Sequence, residues 1–286
     1  MPNPPKRILQ LPLTSEETYY LPIAEKFSAY SFETGGHTLL YHLFVPEQTD
    51  LQLPLVVFMH DMGNISDQPD RTLKQGIGAL VWAEEREQQK RPCYVLAPQY
   101  PEKSAFDDYT VGWAAEATIA LIREICRRYP VDTHRIYGTG QSMGTMMLCE
   151  LLLRHPSFFA GCFLTAGQWD PGRMGAVRDE HVWIMVSEHD DRAFPIMTAC
   201  MQAVEENGGK VARGHTDAQA DEATKAAFCR EVLAQGAGIQ FTWLDGDSVL
   251  PPDTPLFPAV QHMCTWKWAY LFEPIRAWLF EQKIKA

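Results

Sequence analysis

The part of this chain best suited to chemistry is a serine with glycine two residues to either side, Gly140-Gln141-Ser142-Met143-Gly144. A serine hydroxyl is a poor nucleophile at neutral pH unless a base takes its proton, and that base needs an acceptor to fix its tautomer and stabilise its cation. Small residues at the two flanking positions let the backbone turn sharply without a Cβ clash, lifting the hydroxyl clear of the chain. The pentapeptide alone is a weak signal, because glycine is common. Its setting strengthens it: the apolar run RIYGT (135–139) precedes it, and MGTMMLCELLLRH (143–155) follows with a helical pattern stopped by Pro156. Strand, tight turn and helix would aim the N–H of Met143 at an oxyanion forming beside Ser142.

A base and an acid must then lie further along the chain, in the order nucleophile, acid, base that this layout uses. The downstream histidines are His155, His181, His189, His215 and His262. His155 ends the helix after Ser142, His181 begins a strand, and His215 sits in a polar insertion. His262 follows the strand IQFTWL (239–244) after a long loop, from which a side chain can swing over the sheet edge, and is the expected base. The acid is sought just beyond the strand HVWIMVS (181–187), in Glu188-His189-Asp190-Asp191-Arg192. Adjacent loop residues cannot all face one ion, so this cluster is not expected to hold a metal. A second oxyanion donor is expected from the loop His60-Asp61-Met62-Gly63-Asn64, at the N–H of Met62. Gln168, Trp169 and Tyr100, which follow strands, are expected to wall the substrate pocket. Trp266, one turn beyond His262, is expected to pack behind the base.

Strands alternating with helical stretches must carry these residues. Residues 27–46 alternate around Gly35-Gly36 and predict an antiparallel hairpin. LPLVVFM (53–59) is continuously apolar, as a strand buried on both faces requires. A helical stretch is expected over 76–89, a strand over 93–97, a helix over 113–129, strands over 135–139 and 159–166, and a helix over 196–207. These units predict an α/β fold with a mostly parallel central sheet flanked by helices, and ligands at the carboxyl ends of the strands. Residues 1–25 read as a Pro-rich, irregular surface arm, and 26–286 as a single catalytic domain. Within it, 208–238 form an inserted helical segment that is expected to fill an edge of the domain rather than to act as a lid.

Composition narrows the partners. A net charge of −11 argues against nucleic acid and anionic membrane, which demand a basic face, and favours a neutral or weakly charged small molecule. No stretch approaches the roughly 18 apolar residues of a membrane span, and MPNPPKRILQ lacks the apolar core of a signal peptide, so a cytoplasmic protein is expected. The seven cysteines form an odd set with no C-x-x-C pair and read as reduced packing residues. Oligomeric state is left open, a homo-oligomer included.

The segments PLVVFMHDMG, YVLAPQYP, RIYGTGQSMG, DDRAFP and HMCTWKWAY, spread over residues 54–270, resemble the α/β-hydrolase esterases. The similarity is to those related to polyhydroxybutyrate depolymerases, to feruloyl and acetyl-xylan esterases, and to the "predicted peptidase" branch of the prolyl oligopeptidase superfamily. The resemblance implies a serine carboxylesterase acting on short-chain, sugar-linked or aryl-linked esters without a cofactor. It places nucleophile, acid and base on Ser142, Asp191 and His262, preferring Asp191 to Asp190 because it stands four residues before Pro195. Two positions depart from the family pattern: Asp61, where a glycine usually follows the histidine, and Thr145, where a second glycine is common. A peptidase, an acyltransferase or a non-catalytic binding protein on the same scaffold are the alternatives.

Overall fold

The computed structural model describes residues 11–47, 51–257 and 259–284. Among the described residues nine strands form one sheet: β1 (Ser28–Thr34), β2 (His37–Phe44), β3 (Leu53–Met59), β4 (Tyr94–Gln99), β5 (Val131–Gln141), β6 (Gly161–Thr165), β7 (Val182–Ser187), β8 (Val211–Thr216) and β9 (Ile239–Leu244). Their order is β1-β2-β4-β3-β5-β6-β7-β9-β8. The first hairpin turns through Gly35 and Gly36, both at positive φ, which two-residue hairpin turns require. β2 runs antiparallel to β4, and every later pairing is parallel. The mostly parallel sheet with its N-terminal antiparallel hairpin is the architecture expected from the sequence.

Parallel strands need crossovers, which here are mainly helical. In chain order the helices are α1 (Ser15–Tyr20), α2 (Glu85–Lys90), α3 (Trp113–Arg128), α4 (Met143–Arg154), α5 (Pro171–Met174), α6 (Ala193–Glu206), α7 (Glu222–Leu233), α8 (Val260–Ala269) and α9 (Glu273–Glu281). They cover both sheet faces, and β3 shows why its sequence is unbroken by polar residues. Leu55, Val57 and Met59 enter the apolar cluster on one side, while Val56 and Phe58 enter the cluster on the other. Side chains alternate across a strand, so a strand covered on both faces is apolar throughout. All seven cysteines are free and six are buried, as packing residues; burial raises the thiol pKa of Cys264 to about 11.

Three local expectations differ from the structure. Residues 76–89 are not one helix: a short 3-10 turn (Leu80–Ala83) leads into α2. A Cβ on Gly78 would stand 2.3 Å from the Phe58 ring, so the backbone there is pressed against the sheet too closely for a helix with side chains on that face. The segment 208–238 contains a strand, β8, which extends the sheet beyond β9, with α7 packed on it and against α9. The described N-terminal segment is mainly helical from Ser15 onward. Thr14 and Glu17 form a reciprocal capping box at the start of α1, and a 3-10 turn (Leu21–Lys26) follows. The part of the expected arm before Leu11 lies outside the described residues.

Candidate active site

Ser142 sits between the end of β5 and the start of α4 at φ 51° and ψ −115°, a region that non-glycine residues rarely occupy. Such a conformation costs on the order of 1–3 kcal/mol and persists only where the surroundings enforce it. Here they do. A Cβ on Gly144 would stand 2.0 Å from the carbonyl oxygen of Met59, and one on Gly140 would stand 2.8 Å from the Gly144 carbonyl carbon. Both glycines are therefore required by close backbone approach, as their spacing suggests. Thr145, the residue that departs from the family pattern, is accommodated by polar contacts. Its hydroxyl bonds the carbonyls of Gly140 (2.9 Å) and Thr165 (2.8 Å), and its methyl packs where a Cβ on Gly167 would otherwise lie.

His262 Nε2 lies 2.8 Å from Ser142 Oγ, and its Nδ1 lies 2.6 Å from Asp190 Oδ2. The acidic partner is thus Asp190, which corrects the expectation of Asp191. Asp191 is exposed, whereas Asp190 is buried, and its other oxygen accepts the N–H groups of Arg192 (3.1 Å) and Ala193 (2.8 Å) at the start of α6. Burial pushes the Asp190 carboxyl upward. The hydrogen bond and charge of His262, with those two N–H groups, outweigh it and hold the group below the ordinary carboxylate range. Its contribution to stability is therefore complete above the ordinary carboxylate range and is lost as pH falls through the depressed folded value. The neighbouring polar side chains point elsewhere. Glu188 accepts the N–H of Gly246, and His189 meets Asp247 at 3.0 Å, so the cluster does not converge on one point. Ala259, left-handed at φ 70°, ends the long loop and launches α8, whose first turn carries His262.

The loop after β3 is braced by a hydrogen-bond network that reaches Gln75 and Gln141, which the sequence did not mark. His60 is buried, and burial lowers its pKa, favouring the neutral ring. Its Nε2 accepts the N–H of Tyr100 at 2.9 Å, which leaves Nδ1 to donate to the Asp61 carbonyl at 2.7 Å. The Asp61 carboxylate accepts from the Gly63 N–H (2.7 Å), Asn64 Nδ2 (2.9 Å) and Gln141 Nε2 (3.0 Å). Gln75 Oε1 accepts from the same two amides, at 2.7 Å from Asn64 and 3.1 Å from Gln141. This network ties the loop to the residue immediately before Ser142. Met62 is the first residue of a 3-10 turn (Met62–Asn64) and Met143 the first of α4. The first N–H groups of a helix have no partner within it, so neither is used inside its own helix.

A cavity of about 420 Å³ opens beside Ser142 and His262. Leu11, Leu13, Met62, Met263 and Trp266 give it apolar walls, and the residues of the Asp61 network close one side. Trp266 is thus a wall as well as an edge-on neighbour of the His262 ring, at 5.4 Å between centroids, rather than only packing behind it. Tyr100, Gln168 and Trp169, expected as walls, do not line this cavity. The Tyr100 hydroxyl meets Thr118 at 3.2 Å in the core, and the Trp169 indole donates to Glu150 at 3.0 Å. Gln168 is buried, with its amide 4.0 Å from the Met146 sulfur. No residue of 208–238 lines the cavity.

Neither a family model nor a curated protein matches the chain. Solved structures do. A thermostable esterase is similar with a TM-score of 0.75 at 25% identity, over 92% of this chain and 64% of that one, so the chain spans less than two thirds of its length. A ferulic acid esterase is similar with a TM-score of 0.55 at 13% identity, over 90% of this chain and 98% of that one. The acylaminoacyl peptidase of Pyrococcus horikoshii gives 0.53 at 11% identity, over 90% of this chain and 42% of that one. The last two likenesses concern the fold alone. With the sheet order, the N-terminal hairpin and the strained serine between strand and helix, these similarities make the chain a member of the broad α/β-hydrolase superfamily.

Proposed function

We propose that this protein is a serine carboxylesterase for small esters, close in chemistry to the esterase branches that its sequence motifs resemble. The observation that carries the proposal is the continuous line from Ser142 Oγ to His262 Nε2 and from His262 Nδ1 to Asp190, at 2.8 and 2.6 Å. In the proposed cycle Ser142 Oγ attacks the ester carbonyl as His262 Nε2 takes its proton, and the carbonyl oxygen becomes an oxyanion facing the N–H groups of Met143 and Met62. Collapse breaks the bond to the alkoxy oxygen, which leaves with the proton from His262, and the acyl group stays on Ser142. Water then repeats the sequence, delivering its proton to His262 and releasing the acid. Asp190 holds Nδ1–H toward itself throughout and stabilises the transient imidazolium.

No residue of 208–238 covers the cavity as an apolar lid, which favours short, soluble esters over a lipid surface. Activity on p-nitrophenyl esters should fall from acetate and butyrate to octanoate and show no jump when substrate passes its solubility limit. A rate that rises with acyl length, or that jumps at that limit, would point to a lipid substrate instead.

The role of the β3 loop can be tested by removing one donor. Asp61 is extended at ψ 168°, the conformation that tolerates a following proline, and the first helical position accepts proline without strain. Met62→Pro should therefore keep the fold while deleting the N–H. The expected result is a kcat about a hundred- to a thousand-fold below that of Met62→Ala, which shortens the same cavity-wall side chain but keeps the N–H, the usual effect of losing one oxyanion donor. A loss under tenfold would assign the second donor to another group.

A further inference from the structure

The cavity beside Ser142 also carries charge, in a pattern that the overall composition hides. In a chain of net charge −11, three of the charged residues lining it are cations, Arg71, Lys74 and Lys267, against two carboxylates, Glu17 and Asp61. Four of the five are already engaged. Lys267 is bound by Glu17 at 2.7 Å in a buried pair, and Lys74 is bound by Asp70. Asp61 is satisfied by the three donors described above. Among the described residues, the Arg71 side chain makes no hydrogen bond and no ion pair. Its backbone is nonetheless fixed: Arg71 begins a 3-10 turn (Arg71–Leu73) in which Leu73 is buried and the Thr72 N–H is donated to the buried Gln99 Oε1 at 2.7 Å.

Half-buried Arg71, on a fixed turn in a cavity whose two lysines are paired with carboxylates and whose Asp61 carboxylate is turned onto three uncharged donors, presents a fork of donors matched to a carboxylate. We infer that Arg71 is a substrate-anion site, so that the preferred ester carries a second, ionised acidic group in addition to the ester being cleaved. This inference rests on the reading of Ser142 as the nucleophile. The net negative charge of the protein does not oppose it, because at physiological ionic strength the potential of distant surface charges decays over about 8 Å, and the local guanidinium decides. The apolar walls accept the carbon skeleton between the two functional groups.

The test compares matched esters with and without the acid. One pair places the acid on the acyl side, p-nitrophenyl hydrogen glutarate against p-nitrophenyl valerate. The other places it on the leaving group, 3-acetoxybenzoate against its methyl ester. Arg71→Gln should lower the acidic-to-neutral ratio of kcat/KM by about ten- to a hundred-fold in one of the pairs, the range expected for losing a hydrogen-bonded ion pair with substrate, and that pair identifies the side bearing the acid. Arg71→Lys, which keeps the charge but not the fork, should recover part of the ratio. An equal fall on acidic and neutral esters in both pairs would assign Arg71 a purely structural role and overturn the site. So would ratios unmoved within twofold, while Ser142-dependent hydrolysis of the neutral esters would leave the esterase reading standing. Absence of any turnover together with absence of phosphonate labelling at Ser142 would overturn the nucleophile assignment, and the anion site with it.

Discussion

Ser142→Ala should fold normally and lose ester hydrolysis almost completely, by about 10⁶-fold in kcat, as when the nucleophile of a serine hydrolase is removed. The expectation follows from geometry in which, among the described residues, no other hydroxyl replaces Ser142 at the strand-to-helix turn, 2.8 Å from His262. Alanine has the same Cβ, so the strained backbone is retained and the glycine contacts with Met59 are unchanged. Residual activity should be about that of a site that binds ester and orients water without forming an acyl-enzyme. A fluorophosphonate should label the wild-type protein at Ser142 and leave the alanine variant unmodified. Undiminished hydrolysis in the variant, or labelling at another residue, would refute the nucleophile assignment.

The second large effect separates two neighbouring carboxylates. Asp190→Asn should lower kcat by about 10⁴-fold, because the amide presents a donor to the imidazole and turns it to the tautomer that cannot accept the serine proton. Asp191→Asn, at an exposed position, should change kcat by less than threefold, within the usual range for a surface substitution remote from the reacting groups. Burst kinetics with p-nitrophenyl acetate would measure both on the acylation step. If the ranking is reversed, the hydrogen bond between His262 and Asp190 is not the one used in catalysis.

This pair of residues shows where sequence reasoning stops. The bounds of β3 were legible because its continuous apolar run ends where burial ends, those of β9 because Ile239, Phe241 and Trp243 alternate with polar residues up to Leu244, and the bend at Ser142 was legible because close backbone approach admits only glycine at 140 and 144. A loop has no such period. Between Asp190 and Asp191 the distance to Pro195 cannot choose, whereas burial and two N–H contacts can. One signal was present: an Asp two and three residues before the first turn of α6 can accept its N–H groups, which argues for Asp190. The edge strand β8, VARGHT, was missed because only part of it is buried and its polar residues imitate a loop. The aromatic residues chosen as pocket walls were placed by chain position, but each uses its polar atom in the core. The walls come from α8, from the irregular stretch after β3 and from the N-terminal segment, and the last two carry no periodic pattern.

The buried pair of Glu17 and Lys267 has a bearing on how this protein can be handled. The helix that presents His262 is held at its first turn through Asp190 and at its last by a carboxylate from the beginning of the chain. Removing one partner of a buried ion pair typically costs about 3–5 kcal/mol, because the other charge is left without compensation. A recombinant form trimmed to the sheet and its crossovers would strand the Lys267 ammonium on the helix of the base and strip Leu11 and Leu13 from the cavity wall. The leading segment is therefore an unsuitable place to shorten the protein or to graft a tag close to α1.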